Sequence, residues 1–260
     1  MKAGNEMARH RGQFDPKNPE PYELSRSRIE NFVRCPACFY MQQVEKIQFP
    51  SIPGFLLNEA TDVLLKTYFD KFRSAQECPD YLKDEGYKNF IPFQHVDFEL
   101  WTQSLHFGAS GRMHTIVEEY NLKVGGGLDD VWYNTDSGKL HIVDYKSTSK
   151  KTNGPDLLDG YFAQSYKRQM DFYVWVMRRM GFDVSDTGYF LYVNGDRDTN
   201  TNFLQAGHGI MEFKVSLLPY DVSTDWVDGT LAKIKDTLHS PVRPNHSENC
   251  DYGAFLYAAG

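Results

Sequence analysis

Apolar positions along the chain switch between helical and alternating spacing, and the switches mark its elements. Ile29, Phe32 and Val33 give one helical face. Ser27, with Glu30 three residues on, matches a capping box at its start. Pro36, inside Cys35-Pro36-Ala37-Cys38, ends or bends that helix, and Phe39-Tyr40-Met41 continue its apolar surface. After a loop holding Pro50 and Pro53, residues 55–73 read as a helix whose apolar face is Phe55, Leu56, Ala60, Val63, Leu64, Tyr68 and Phe72. Residues 74–97, with Pro79, Gly86 and Pro92, are loop-like, and 98–107 suit a short helix carrying Trp101. A strand is expected over 112–121. A hairpin follows: one strand from Val124 to Tyr133, a turn over Asn134-Thr135-Asp136-Ser137-Gly138, and a short apolar strand built on Leu140, Ile142 and Val143. Residues 160–180 form a helix stopped by Gly181, with Tyr166, Met170, Tyr173, Val174 and Met177 on its inner face. Strands over 188–193 and 210–218, a helix over 221–239 and a polar, cysteine-containing tail complete the chain. This order predicts an α/β fold around a mixed central sheet flanked by helices. The expected division is a flexible arm (1–23), a helical subdomain with the first core helix (24–108), a core (109–240) and a C-terminal segment (241–260) packing on the N-terminal helix.

Composition narrows the class. Hydrophobic residues make up 41% of 260, enough for a sizeable core, and no apolar run is long enough to span a membrane. The polar start lacks the apolar stretch of a signal peptide, so a cytoplasmic location is expected. The net charge of −7 argues mildly against a general nucleic-acid binder, yet Lys146, Lys150, Lys151, Lys167 and Arg168 gather a local basic strip around the hairpin and the next helix.

The chemistry concentrates on the hairpin. Asp129 and Asp144 are acidic where such strands are normally apolar, and Lys146 shares a side of its strand with Asp144. Two carboxylates and an ammonium suit a hard divalent cation and a phosphate. Asp15-Pro-Lys17 and Glu212-Phe-Lys214 repeat the D/E-x-K triplet. Only Asp144-Tyr145-Lys146 ends a buried strand, follows another acidic strand position and precedes a helix bearing Gln169 and Tyr173. His95, His106 and His114 match no familiar metal spacing. Cys35 and Cys38 form a C-x-x-C pair, and with His246 and Cys250 they make a four-ligand metal site arithmetically available; three free thiols are the alternative.

Taken together, these motifs resemble the PD-(D/E)XK nuclease superfamily in its RecB-like branch, which includes helicase-nuclease exonuclease domains and the small exonucleases of CRISPR adaptation. Gly127-Leu128-Asp129 is similar to the branch's G-x-D motif, and Ile142-Val143-Asp144-Tyr145-Lys146 to its D-x-K strand. Gln169 and Tyr173 are similar to its Q-x-x-x-Y helix, and Ser25-Arg26-Ser27-Arg28-Ile29 with Cys35-Pro36 to its N-terminal signature.

The resemblance implies a restriction-endonuclease-like core and a DNA-cleaving hydrolase, an exonuclease on single strands or ends, acting in repair, recombination or defence. It implies magnesium or manganese held by Asp129, Asp144 and the Tyr145 carbonyl. Lys146 would handle the attacking water, Gln169 would orient it or Lys146, and Tyr173 would pack beside the cut strand. Lys150, Lys151, Lys167 and Arg168 would contact nucleic acid. Asn58 stands where the branch has a histidine or acidic ligand, with Glu59 and Asp62 as neighbouring alternatives. That departure keeps a non-cutting nucleic-acid binder open as a rival, beside a structural or assembly subunit. No protein partner is indicated. Some relatives hold a four-iron cluster on one N-terminal and three C-terminal cysteines. Here only Cys250 remains in the C-terminal part, with Gly253 where another would stand, so zinc, a remnant cluster or nothing is expected at Cys35, Cys38, His246 and Cys250. On this reading Gly253→Cys should improve metal retention.

Overall fold

The computed structural model describes residues 14–47, 49, 54–105, 108, 110–198 and 202–259. Most of the expected arm, the loop prolines Pro50 and Pro53, and His106 lie outside them. Its strands are β1 (Tyr22–Ser25), β2 (Phe90–Pro92), β3 (His114–Val117), β4 (Leu122–Gly125), β5 (Asp130–Asn134), β6 (Leu140–Thr148), β7 (Thr187–Gly195), β8 (Leu204–Gln205), β9 (His208–Gly209) and β10 (Phe213–Asp221). Its helices are α1 (Arg26–Arg34), α2 (Pro36–Gln43), α3 (Leu56–Ala75), α4 (Asp80–Asp84), α5 (Phe98–Trp101), α6 (Tyr161–Arg179), α7 (Trp226–His239) and α8 (Asp251–Ala259).

The central sheet is mixed, in the order β10-β7-β6-β5-β2, with β6 and β7 parallel and the other pairs antiparallel. β6 is the middle strand, as its apolar run requires. Alternation along it sorts side chains to two faces. Val143 and Tyr145 pack with Phe69 of α3, Trp132 and Leu191. Ile142 points the other way, into the core shared with Phe172 and Val176 of α6 and with Phe190 and Tyr192 of β7. α3 and α6 therefore flank opposite faces. A smaller sheet, β1-β4-β3, adds to the α6 side.

Several expectations change. The single strand over 124–133 is two strands in different sheets, β4 and β5, joined by an irregular crossing through Gly126, Gly127, Leu128 and Asp129. Close packing forces this: a Cβ on Gly126 would come within 2.7 Å of the Tyr173 ring. The 74–97 region contains α4 and the edge strand β2, and the stretch before α1 contains β1. The expected strand over 112–121 is β3 followed by a 3-10 turn at Glu118–Tyr120. The tail ends in a helix, α8. The Ser27–Glu30 capping box does not form. Ser25 occupies the N-cap, and Glu30 turns away to pair with Arg168 at 2.6 and 2.9 Å. Residues 14–21 are docked where the reading had an arm: the Phe14 ring packs edge-on against Tyr22 and His239.

The apolar face of α3 is helical in spacing but only its C-terminal half covers the sheet. Phe69 is buried, whereas Phe55, Leu56, Leu57, Val63 and Leu64 are exposed. What anchors this half is a charge. Arg73 reaches the 1%-exposed Asp130 at the start of β5, and its Nη1 donates to the Phe93 carbonyl at 2.5 Å. Asp130 also accepts from the Val131 amide (2.7 Å), Trp132 Nε1 (3.0 Å) and the Tyr145 hydroxyl (2.6 Å). A buried carboxylate with this many donors is satisfied, and stripping its one cation leaves an uncompensated charge. Arg73→Met should cost about 3–5 kcal/mol, read from urea unfolding, and adding Asp130→Asn should recover part of it. A loss below about 1 kcal/mol for the single variant would show that the pair does not anchor α3.

Candidate active site

The site forms where the C-terminal half of β6 meets the crossing between β4 and β5. Asp144 and Lys146 share the α6 side of β6, as alternation predicts. Asp144 is 1% exposed. Its Oδ1 accepts from Gln169 Nε2 at 2.9 Å, and its Oδ2 meets the Lys146 ammonium and no other described partner. Lys146 Nζ also donates to the Tyr145 carbonyl at 3.3 Å and lies 4.7 Å over the Tyr166 ring. Asp129 arrives from the crossing, just before β5, and its Oδ2 accepts from the Tyr145 backbone amide at 2.9 Å. Asp129 is thus tied to the strand that carries Asp144.

α3 contributes the fourth side. Asn58, Asp62 and Lys66 are spaced four apart, so they share a helix face. The structure engages Asn58 with the Ser147 carbonyl (3.4 Å), at the far end of β6. The residues that turn toward the carboxylates are Lys66, 2.9 Å from Asp62 and 3.9 Å from Asp129, and through it Asp62. Asp62, one helical turn after Asn58, is therefore the α3 carboxylate linked to Asp129 through Lys66, and its charge adds to the rise of Asp129.

α6 contributes a relay. Gln169 is buried between Arg26 and Asp144: Arg26 Nη2 donates to its Oε1 at 3.0 Å while its Nε2 donates to Asp144. A cation on one side and a carboxylate on the other fix which way the amide points. Gln169 Nε2 also reaches the Tyr173 hydroxyl at 3.3 Å. Tyr173 itself is 4% exposed and its ring lies against Gly126, so it props the crossing from behind; the expectation that it faces a bound strand is corrected. Arg26, Lys66 and the Asp130–Arg73 pair were not among the sequence-derived candidates. For Lys66 a signal existed, the i, i+4 series from Asn58.

The candidate basic residues do not form one strip. Lys150 and Lys151 line a small cleft with Arg197 and Lys214 beyond the end of β6. Lys167 sits 6.0 Å from the Tyr220 ring, and β10 pairs Tyr220 with Gly188 but Lys214 with Asn194, at opposite ends of β7. Arg168 is held by Glu30.

Electrostatics give the centre its character. Burial, then the Asp144 charge, push the Asp129 carboxyl up to about 7 despite the pull of Lys146 and Lys66. Burial opposes charge on Lys146 and Lys66, but the aspartates outweigh it and raise both. The donor set is hard oxygen in excess of local cations, with Oδ2 of Asp144 and the Tyr145 carbonyl both turned to one ammonium; it fits a divalent cation.

A second cluster lies apart from this centre. Cys35, Cys38, His246 and Cys250 place their ligand atoms within 4.8 Å of one another, and the four can hold a metal ion. Burial pushes the Cys35 thiol up, but hydrogen bonds from the Cys38 and Ser247 backbone and the neighbouring thiols outweigh it and bring it down to about 6. Burial, then the Cys250 and Cys35 thiols, push Cys38 up.

Comparison with known proteins agrees with this geometry. The family model of the PD-(D/E)XK nuclease superfamily matches residues 57–255, which spans every element of the site except β1 and α1. No curated protein matches the chain.

Asp129 yields a prediction for the metal-free protein. Its folded-state carboxyl titrates near 7 and its unfolded one near an ordinary value of about 4. The folded state therefore holds the extra proton, and the stability this gives is present below about pH 4 and lost as pH rises through 7. In chelator, Asp129→Asn should be more stable than wild type by roughly 1–3 kcal/mol at pH 8. The gap should shrink by more than half at pH 5 and close only below about pH 4. Parallel urea curves at the two pH values would show that Asp129 is not so perturbed.

Proposed function

Because the chain belongs to the PD-(D/E)XK nuclease superfamily, we propose that the Asp129–Asp144–Lys146 centre is the metal-dependent active site of a deoxyribonuclease of the RecB-like type, related to the small exonucleases of CRISPR adaptation. Membership in a superfamily of nucleases implies hydrolysis of a nucleic-acid backbone. The observation that carries the finer reading is the convergence of two buried or half-buried carboxylates and one lysine on the C-terminal half of β6. With it go Gln169 and Tyr173 on α6 and the N-terminal Ser25–Ile29 motif, whose Arg26 reaches Gln169.

Asp129, Asp144 and the Tyr145 carbonyl would hold magnesium or manganese, which supplies an activated water and neutralises charge on the phosphate. The chain's own residues do the rest. Lys146, which sits on Asp144 here, would be the group that holds the water or the transition-state oxyanion once a metal neutralises Asp144. Gln169 keeps Asp144 oriented, and Arg26 keeps Gln169 oriented. Asp62 takes the ligand role expected of Asn58. A carboxylate one turn from the asparagine supports cutting over the non-cutting binder. The substrate on this reading is DNA, cut from single strands or ends in repair, recombination or defence. Lys150 and Lys151, with Arg197 beside them, are the basic groups offered to its backbone, while Lys214 in the same cleft is paired with Asp196. Among the described residues no helix is long and apolar enough to cross a membrane. The free cysteines suit a cytoplasmic protein.

Labelled single- and double-stranded DNA should be degraded with magnesium or manganese and spared in excess chelator; undiminished cleavage in chelator sinks the assignment. Lys146→Ala should lower turnover by about 10²–10³-fold, the scale of losing one preorganised electrostatic group. Asp144→Asn should abolish activity with the fold retained by circular dichroism.

Asp62 and Asn58 can be told apart. Asp62→Asn should lower activity by at least about 10-fold and raise the magnesium needed for half-maximal rate, while Asn58→Ala should stay within about threefold of wild type. The reverse ranking would return the α3 ligand to Asn58.

A further inference from the structure

We propose that Cys35, Cys38, His246 and Cys250 bind a single zinc ion, and that this site cannot host the four-iron cluster that some similar nucleases carry. The ligands come from two places far apart in sequence. Cys35 ends α1 and Cys38 lies in the first turn of α2. His246 lies in the segment before α8, and Cys250 immediately precedes that helix. Both N-terminal cysteines are buried, and the other two ligands are half-buried.

Distances decide between the two metal types. His246 Nδ1 is 3.4, 3.6 and 3.5 Å from the sulfurs of Cys35, Cys38 and Cys250. Four ligands on one tetrahedral zinc, with Zn–S of about 2.3 Å and Zn–N of about 2.0 Å, stand about 3.5 Å apart for sulfur to nitrogen and about 3.8 Å for sulfur to sulfur. The imidazole is already at that spacing from all three thiols, and Cys38 and Cys250 are slightly inside it at 3.3 Å. A four-iron cube bonds each thiolate to a different iron. Its ligands must therefore stand well apart across the inorganic core, not in mutual contact. An open groove of about 520 Å³ borders Cys35, Cys38 and Cys250, so space beside the cysteines is not what excludes a cluster. The closeness of the ligand atoms excludes it.

Gly253 gives the second, independent observation. A Cβ there would meet His246 Cβ and Cγ at 2.7 Å and Nδ1 at 3.1 Å. The imidazole thus fills the space a side chain at 253 would need, and it supplies the fourth ligand from the opposite direction. The Gly253 amide instead donates to Cys250 Sγ at 3.3 Å, the kind of outer hydrogen bond that stabilises a metal-bound thiolate. The expectation that Gly253→Cys restores a ligand pair is therefore corrected: the new side chain would displace His246. Three thiolates and one imidazole are a soft, mixed set of the sort zinc accepts in structural sites. With Nδ1 turned to the sulfurs, the ring proton sits on Nε2. A filled site would pin α8 to the α1–α2 elbow, across 212 residues of chain.

The test uses the full-length protein purified without oxygen, beside Asp144→Asn, which weakens metal binding at the nuclease centre. Both should contain about one zinc per chain, little iron or acid-labile sulfide, and no broad absorption near 400 nm. Replacing zinc with cobalt should give the intense visible bands of a tetrahedral thiolate site. His246→Cys should keep the metal, His246→Ala should lose most of it, and Gly253→Cys should lower zinc content. If the variants fail to fold, zinc release from wild type on titrating its four thiols gives the same answer, one ion freed as the three other than Cys78 are blocked. About four irons with sulfide would overturn the proposal. So would zinc that disappears in Asp144→Asn, or a protein that holds no metal and whose added zinc or cobalt leaves the thiols freely reactive.

Discussion

Two carboxylates forced into one poorly solvated place repel each other, and everything around Asp129 and Asp144 manages that repulsion. Asp144 is delivered by the middle strand of the central sheet, where nothing can move away from it, and Asp129 is tied to the same strand through the Tyr145 amide. Lys146 and Lys66 supply the counter-charge. Neighbouring Asp130 would add a third negative group, but it is turned to the other face of the sheet and satisfied there by Arg73, Trp132 and Tyr145. Consecutive aspartates thus do different work. One is buried against a second carboxylate and titrates high, and the other, fully bonded, holds the backbone on which the first depends.

This division explains why the scaffold is built as it is. Tyr145 faces away from the site, yet its amide grips Asp129 and its hydroxyl grips Asp130, so one residue couples both faces of β6. On the α6 side the chain Arg26–Gln169–Asp144 is a line of donors ending on a carboxylate. The geometry of the centre therefore rests on two buried polar networks, one per face of the sheet. Such networks specify a unique arrangement because a half-satisfied alternative costs so much.

Much of this was readable in the residues, and the misses have physical causes. The alternation Ile142-Val143-Asp144-Tyr145-Lys146 put Asp144 and Lys146 on one side, and the 19-residue helix α6 was clear from its spacing and from Gly181. The glycines at 125–127 fell inside the strand expected over 124–133. They are there because the backbone leaves one sheet and enters another past the Tyr173 ring, a tertiary fact with no local signature. β1 and β2 are four and three residues long, too short to show a period, and exist only by pairing with distant strands. Along α3 the apolar series was real, but which half touches the sheet is set by Arg73, a residue no hydrophobic pattern selects. Glu30 matched a local cap and went instead to Arg168, because burial beside α6 offers a stronger, charged partner.

The order of assembly during synthesis follows from where β1 and α1 sit. Among the described residues β1 pairs only with β4, a hundred residues later, and α1 packs on α6 and α7. β1 and α1 are made before β4, α6 and α7, and the central sheet can pair its strands before they dock there. Arg26 belongs to this waiting segment, and it is the residue that holds Gln169 against Asp144. The nascent chain can therefore carry its carboxylates on a nearly complete sheet while the contact that orients them is still missing. Competence arrives late, when the beginning of the chain closes over its middle.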